Sequence, residues 1–179
     1  PYNNSGSIDL IDGASGDGFD DSVLFTINEP NFVIGNKPKC EEIGAMTSGD
    51  IDGDGTDELY MAFNYDSFTK LVRSDKKELP YLSKVLYTSK YWHINGLGVN
   101  DYNGDGQLEL MTAFNELTNN INATEVWKGD GINSATNNER IYENEWWNTS
   151  AITSGDYDGN STNEVIIAFN APDNTGNDN

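Results

Sequence analysis

Asp50-Ile51-Asp52-Gly53-Asp54-Gly55-Thr56-Asp57-Glu58 sets acidic side chains at the first, third, fifth and ninth positions of one short stretch. The layout returns as Asp101-Tyr102-Asn103-Gly104-Asp105-Gly106-Gln107-Leu108-Glu109, and again as Asp156-Tyr157-Asp158-Gly159-Asn160-Ser161-Thr162-Asn163-Glu164. Each box runs straight into an apolar segment, at 59–63, 110–114 and 165–169. One such box is within reach of chance in a chain rich in Asp and Gly. Three in register, about fifty residues apart, are the mark of a structural repeat.

The flanks repeat too. Before the boxes lie segments 43–49, 94–100 and 149–155, in which Met46, Leu97 and Ile152 share one position and Ala45, Gly96 and Ala151 share its neighbour. A small residue beside one large apolar residue suits a strand crowded against other backbone. The segments after the boxes are apolar at successive positions, which predicts strands covered on both faces. Weaker strands follow around 69–72 with 85–92, and around 125–128 with 140–147, separated by polar turns such as Gly129-Asp130-Gly131. Four short strands per unit, two of them deeply buried, make one blade of a β-propeller, so the fold class expected is all-β. A degenerate copy precedes the first unit: Asp12, Asp17 and Asp21 stand around an insertion, Ala14-Ser15-Gly16, ahead of another apolar run at 23–25. The repeats therefore cover 9–169, with 1–8 and 170–179 read as Asn- and Gly-rich tails. A closed propeller needs about four to eight blades. The array is expected to be completed by further sequence or by a neighbouring chain, and Pro at position 1 fits a piece of something longer.

Composition narrows the function. The chain has 179 residues, 36% of them hydrophobic, with 30 acids against 10 bases and a net charge of −20. Nucleic acid and anionic membrane surfaces would be repelled. No apolar run is long enough to span a membrane. Cys40 is the single cysteine, so no intrachain disulfide forms, and it reads as a small buried hydrophobe.

The boxes explain part of the acidity. A loop offering carboxylates at positions 1, 3, 5 and 9 and a carbonyl at position 7 meets the need of calcium for six to eight hard oxygens. The ligands expected are Asp50, Asp52, Asp54, Thr56 and Glu58 in the first box. In the second they are Asp101, Asn103, Asp105, Gln107 and Glu109, and in the third Asp156, Asp158, Asn160, Thr162 and Glu164, with Thr56, Gln107 and Thr162 acting through their carbonyls. The insertion in the degenerate copy should weaken or abolish binding at Asp12, Asp17 and Asp21. Zinc is disfavoured because His93 is the only imidazole and no sulfur lies in a box. Magnesium asks for stricter octahedral geometry than one short loop gives.

The pattern D-x-D-x-D-G-x-x-[DE] leading into an apolar strand resembles the FG-GAP/VCBS repeat of integrin-type β-propellers and related extracellular lectins and lyases. The chain departs from it at Asn103, Asn160 and Ser161, the last replacing a turn glycine. The resemblance implies an extracellular, secreted or cell-surface location and structural calcium.

Outside the boxes, Tyr91-Trp92 and Trp146-Trp147 form paired aromatics. They fit packing between blades, or, with Trp92 or Trp147 turned outward, a platform for sugar rings. Sequons occur at Asn3, Asn122, Asn148 and Asn160; a glycan on Asn160 would exclude the metal it is placed to bind. No nucleophile elbow, zinc helix or phosphate loop is present, and Tyr142, Glu143 and Glu145 read as a solvated strand face, so no catalytic residue is assigned. The reading that emerges is a calcium-stiffened, non-catalytic module for adhesion, ligand binding or assembly. The alternatives are a protomer of an extracellular fibre, whose partner is another copy of itself, and a glycan-binding lectin or the propeller of a polysaccharide lyase.

Overall fold

The structure, a computed structural model, describes residues 7–11, 23–28, 40–65, 68–75, 83–116, 123–136 and 139–170; for 7–11, 23–28, 40–42 and 83 it describes the backbone alone. Asp12, Asp17, Asp21, Asn3 and Asn122 lie outside these residues, as does the side chain of Cys40.

All elements described are strands. They are β1 (Ser7–Ile11), β2 (Val23–Asn28), β3 (Cys40–Gly49), β4 (Glu58–Tyr65), β5 (Phe68–Ser74), β6 (Ser83–Ser89), β7 (Trp92–Asn100), β8 (Glu109–Glu116), β9 (Thr124–Gly129), β10 (Glu139–Asn144), β11 (Asn148–Gly155) and β12 (Glu164–Asn170). Among the described residues no helix is long and apolar enough to cross a membrane. Strands β3 to β6 make one antiparallel sheet in sequence order and β7 to β10 a second, while β1 with β2 and β11 with β12 are two-stranded. Each repeat thus builds a meander with its box between the first two strands. The strand that follows the degenerate copy is β2, paired with β1 as β4 is with β3. Ser7, Ile8 and Asn170, assigned above to the tails, belong to strands, because each is held by a ladder partner.

The first strands of successive units lie side by side, β7 having β3 on one flank and β11 on the other. Their small residues follow from this. A Cβ added at Gly44 would come within 2.0 Å of the Ile94 carbonyl oxygen, and one at Gly96 within 2.8 Å of the Ile152 side chain. Each of these strands also carries a register shift at the same place, between Ile43 and Ala45, Ile94 and Gly96, and Thr149 and Ala151. A bulge there bends the strand where it meets its neighbour.

Two apolar layers fill the gaps between sheets. Tyr60, Ala62, Leu71 and Leu86 of the first sheet meet Ile94, Leu97, Leu110 and Phe114 of the second. Met111, Ala113 and Val126 of the second meet Ile152, Val165 and Ile167 of the β11–β12 hairpin. Strands β4 and β8 are accordingly buried on both faces, as their unbroken apolar runs predict. Strand β12 is not: its residues alternate between half-buried and exposed, because the described residues lay a sheet on one of its faces only.

The outer strands end earlier than expected. Strand β6 stops at Ser89 and β10 at Asn144, and Trp92 instead opens β7 while Trp147 directly precedes β11. The cause is local: Tyr91 N–H donates to Ser89 Oγ at 3.0 Å and Trp146 N–H to Asn144 Oδ1 at 2.7 Å, so a side chain takes the place of the ladder at each turn.

A buried asparagine amide locks each sheet to the next. Asn64 Nδ2 donates to the Ile94 carbonyl at 3.0 Å, and its Oδ1 accepts Ile94 N–H at 3.1 Å and the Thr69 hydroxyl at 2.8 Å. Asn115 repeats this one unit on: Nδ2 donates to the Thr149 carbonyl at 2.8 Å, and Oδ1 accepts Thr149 N–H and the Thr124 hydroxyl, both at 2.9 Å. Truncating Asn64 removes the side-chain partner of both the N–H and the C=O of buried Ile94, and truncating Asn115 removes that of the Thr149 C=O and leaves the Thr149 N–H only the Thr124 hydroxyl, at 3.1 Å. Asn64→Ala and Asn115→Ala should each destabilise the fold by about 2–4 kcal/mol in urea unfolding, whereas Asn170→Ala, at the exposed equivalent position, should cost less than about 0.5 kcal/mol at low protein concentration.

Candidate metal centre

The three loops are built alike. The first aspartate turns back on its own loop: Asp50 Oδ2 accepts Gly55 N–H at 2.9 Å, Asp101 Oδ2 accepts Gly106 N–H at 2.8 Å, and Asp156 Oδ2 accepts Ser161 N–H at 3.0 Å. The closing glutamate, already the first residue of the buried strand, reaches back to the second loop residue. Glu58, Glu109 and Glu164 each accept, through Oε2, the N–H of Ile51, Tyr102 and Tyr157 at 3.1, 3.0 and 2.8 Å. Gly55 and Gly106 sit at φ of 85° and 86°, in the left-handed region. Ser161 takes the same region at 72°, so the third loop keeps the shape of the others despite a side chain that disfavours it.

In the first loop Asp50, Asp52, Asp54 and Glu58 each bring one carboxylate oxygen within 4.8 Å of the others. Asp50 Oδ1 is buried and has no hydrogen-bond partner among the described residues. Glu58 is buried, and burial pushes its carboxyl above the usual range, the Ile51 N–H and Arg73 partly opposing this. Oxygens so close repel one another and are relieved by a hard divalent ion. Thr56, expected to supply a carbonyl, stands between Asp54 and Glu58 with its N–H on Asp54 Oδ1 at 2.9 Å.

The third loop gathers Asp156, Asp158 and Glu164 to the same closeness, although it is more exposed. Asn160 Nδ2 donates to Asp158 Oδ2 at 2.9 Å, and Asn160 Oδ1 accepts both Thr162 N–H, at 2.7 Å, and the Thr162 hydroxyl. In the second loop an amide lies between the acids: Asn103 Nδ2 donates to Asp105 Oδ2 at 3.0 Å and to Glu109 Oε1 at 2.9 Å, while Asp101 caps the turn. Among the described residues Asp101, Asp105 and Glu109 do not converge as the other two sets do. Gln107 is exposed, with its N–H on Asp105 Oδ1 at 2.8 Å.

Sequence reasoning missed Arg73. It lies on β5, cross-strand from Tyr60, and its guanidinium reaches under the first box to Asp52, to Glu58 Oε1 at 3.8 Å and to Asp75 Oδ1 at 2.7 Å. Lys128 holds the same register beneath the second box, opposite Met111, and faces Glu139 at 3.9 Å. The run Thr69-Lys70-Leu71-Val72-Arg73 holds two basic residues, and nothing in it says that Arg73 meets the first box.

Other candidates are placed as follows. Trp92 is half-buried and packs on the core, with Tyr91 outward, so Trp92 is not the exposed platform considered above. Trp147 is 44% exposed and Trp146 is 71% exposed. Asn148 is half-buried at the start of β11. Glu143 pairs with Arg140 at 2.9 Å, and Tyr142 packs on Phe169.

Comparison with family models, with curated proteins and with solved structures returns no match.

Arg73 shares its partners with any cation in the first box, so its value depends on the metal. In chelator, Arg73→Met should lose about 2–4 kcal/mol in urea unfolding, because Glu58 stays buried and charged without a counter-ion. At saturating divalent ion the loss should shrink by at least about half, since a bound dication meets the same need.

Proposed function

We propose that this chain is a calcium-stabilised, non-catalytic module of propeller-type blades that works outside the cell in adhesion or ligand binding. The observation that carries the reading is the first box, where four carboxylates converge around a buried, partnerless Asp50 oxygen. The donor set is oxygen alone, which selects a hard cation, and a single flexible loop suits calcium better than magnesium. The resemblance of the boxes to FG-GAP/VCBS repeats supports calcium and an extracellular setting. Two four-stranded antiparallel meanders whose first strands lie side by side support reading each unit as a blade. Calcium would be held by Asp50, Asp52, Asp54 and Glu58 in the first box, and by Asp156, Asp158 and Glu164 in the third. Its role is structural. Binding ties the glutamate that begins β4 or β12 to the loop before it and lowers the charge of a chain at −20.

With ambient calcium near ~1 mM and a site Kd near ~0.1 mM, each occupied loop adds about 1.4 kcal/mol, and two loops add about 3 kcal/mol. Thermal melts should therefore fall by about 6–12 °C when calcium is replaced by chelator, and magnesium should restore little of the loss. An identical melt in calcium and in EDTA refutes the proposal.

A sugar-binding variant of this reading draws on Trp146 and Trp147, exposed together just before β11. A glycan array in millimolar calcium, with Trp146→Ala and Trp147→Ala as controls, should show binding that the substitutions remove. Uniformly blank spots discard the variant.

A further inference from the structure

The open face of the β11–β12 hairpin is a junction shown twice elsewhere in the chain with its occupant in place. The repeat makes the comparison residue by residue. Tyr60 and Met111 are 0% exposed, and Ile166, at the same position, is 39% exposed. Ala62 and Ala113 are buried; Ala168 is exposed. Ile51 is buried and Tyr102 half-buried, while Tyr157 is 62% exposed. Asn64 and Asn115 clasp the next unit; Asn170 is exposed and makes no side-chain hydrogen bond among the described residues. In both covered cases the occupant is the following unit, the strand clasped is its first, β7 or β11, and the clasped residue is fixed by register. It sits one place inside the ladder pair that the asparagine closes: Ile94 opposite Phe114, next to the His93 and Asn115 pair, and Thr149 opposite Phe169, next to the Asn148 and Asn170 pair.

The other end of the chain carries a strand whose first two ladder pairs match that register, its shift falling later, between Leu10 and Ile11. Asn28 closes the β1–β2 ladder opposite Ser7, and Ile8 opposite Ile27 holds the place of Ile94 and Thr149. Strands β1 and β2 hydrogen-bond only to each other among the described strands. We infer that the face formed by Tyr157, Thr153, Ile166, Ala168 and Asn170 docks the β1–β2 hairpin of a second copy of this chain, with the Asn170 amide clasping the peptide group of Ile8. The contact is heterologous, tail face to leading hairpin, so it propagates into a ring or a filament instead of ending at a dimer. It uses no residue of a metal box except Tyr157, which offers only its ring. It therefore goes beyond the function proposed above and does not depend on it.

Sedimentation velocity of the full chain, in calcium and in chelator at moderate salt, tests the inference. Wild-type protein should associate with rising concentration, and salt should favour this by screening a charge of −20 on each copy. Ile166→Arg, which blocks the tail face, and Ile8→Pro, which removes the N–H that Asn170 would accept, should each weaken association by about tenfold or more, and Asn170→Ala should do likewise. Mixing Ile166→Arg with Ile8→Pro should give a one-to-one dimer and nothing larger, since one intact tail face then meets one intact hairpin. Ile166→Arg is an exposed substitution, and unchanged circular dichroism will show that it folds. A wild-type chain that stays monomeric into the high micromolar range overturns the inference. So does association indifferent to Ile166→Arg and Asn170→Ala. Association that responds to Ile166→Arg but not to Ile8→Pro overturns it as well, because the face then pairs with itself. A calcium-dependent melt in a strictly monomeric chain would leave the metal reading standing and remove only this one.

Discussion

Sheets stacked face to face must bury peptide groups where one first strand passes another, and in this chain an asparagine amide satisfies them. Asn64 and Asn115 each donate to a carbonyl and accept from an N–H of the same residue on the next sheet. A side-chain amide is the one group that can imitate a backbone peptide in both roles at once. Its presence lets β7 and β11 lie against the sheet before them without belonging to its ladder. The glycine at position 44 and the shared bulge serve the same approach, by removing a Cβ and by bending the strand.

The metal boxes act on a different part of the same unit. Hydrogen bonds from the loop's own N–H groups to the first aspartate, and from the second residue to the closing glutamate, shape each loop before any ion is considered. What remains is a surplus of negative oxygen. The first box answers with Arg73 and a buried Asp50 oxygen that still lacks a partner; the second inserts the Asn103 amide; the third leaves its acids exposed to solvent. One repeated loop thus reaches three different local charge balances.

Much of the fold was legible in the residues. The boxes located the turns, the apolar runs located β4, β8 and β12, and the small-residue segments located β3, β7 and β11. The misplacement of Trp92 and Trp147 has a physical cause. An aromatic pair extends an apolar run in sequence, but Ser89 Oγ and Asn144 Oδ1 capture the N–H groups that would have continued the strand. Arg73 was invisible because the box it serves lies on the far side of a strand pairing, and only the register of β4 with β5 brings them together.

By itself the sequence determined the period, the loop chemistry and the alternation of buried and exposed strands, because those depend on neighbours a few residues apart along the chain. The tertiary structure decided which face each sheet turns to the next, which base lies under which box, and that β12, as apolar as β4 and β8, is covered by the described residues on one side only. Those outcomes turn on what lies across a gap between sheets. A strand's composition carries the demand for a covering layer, and the arrangement of layers decides whether it is met.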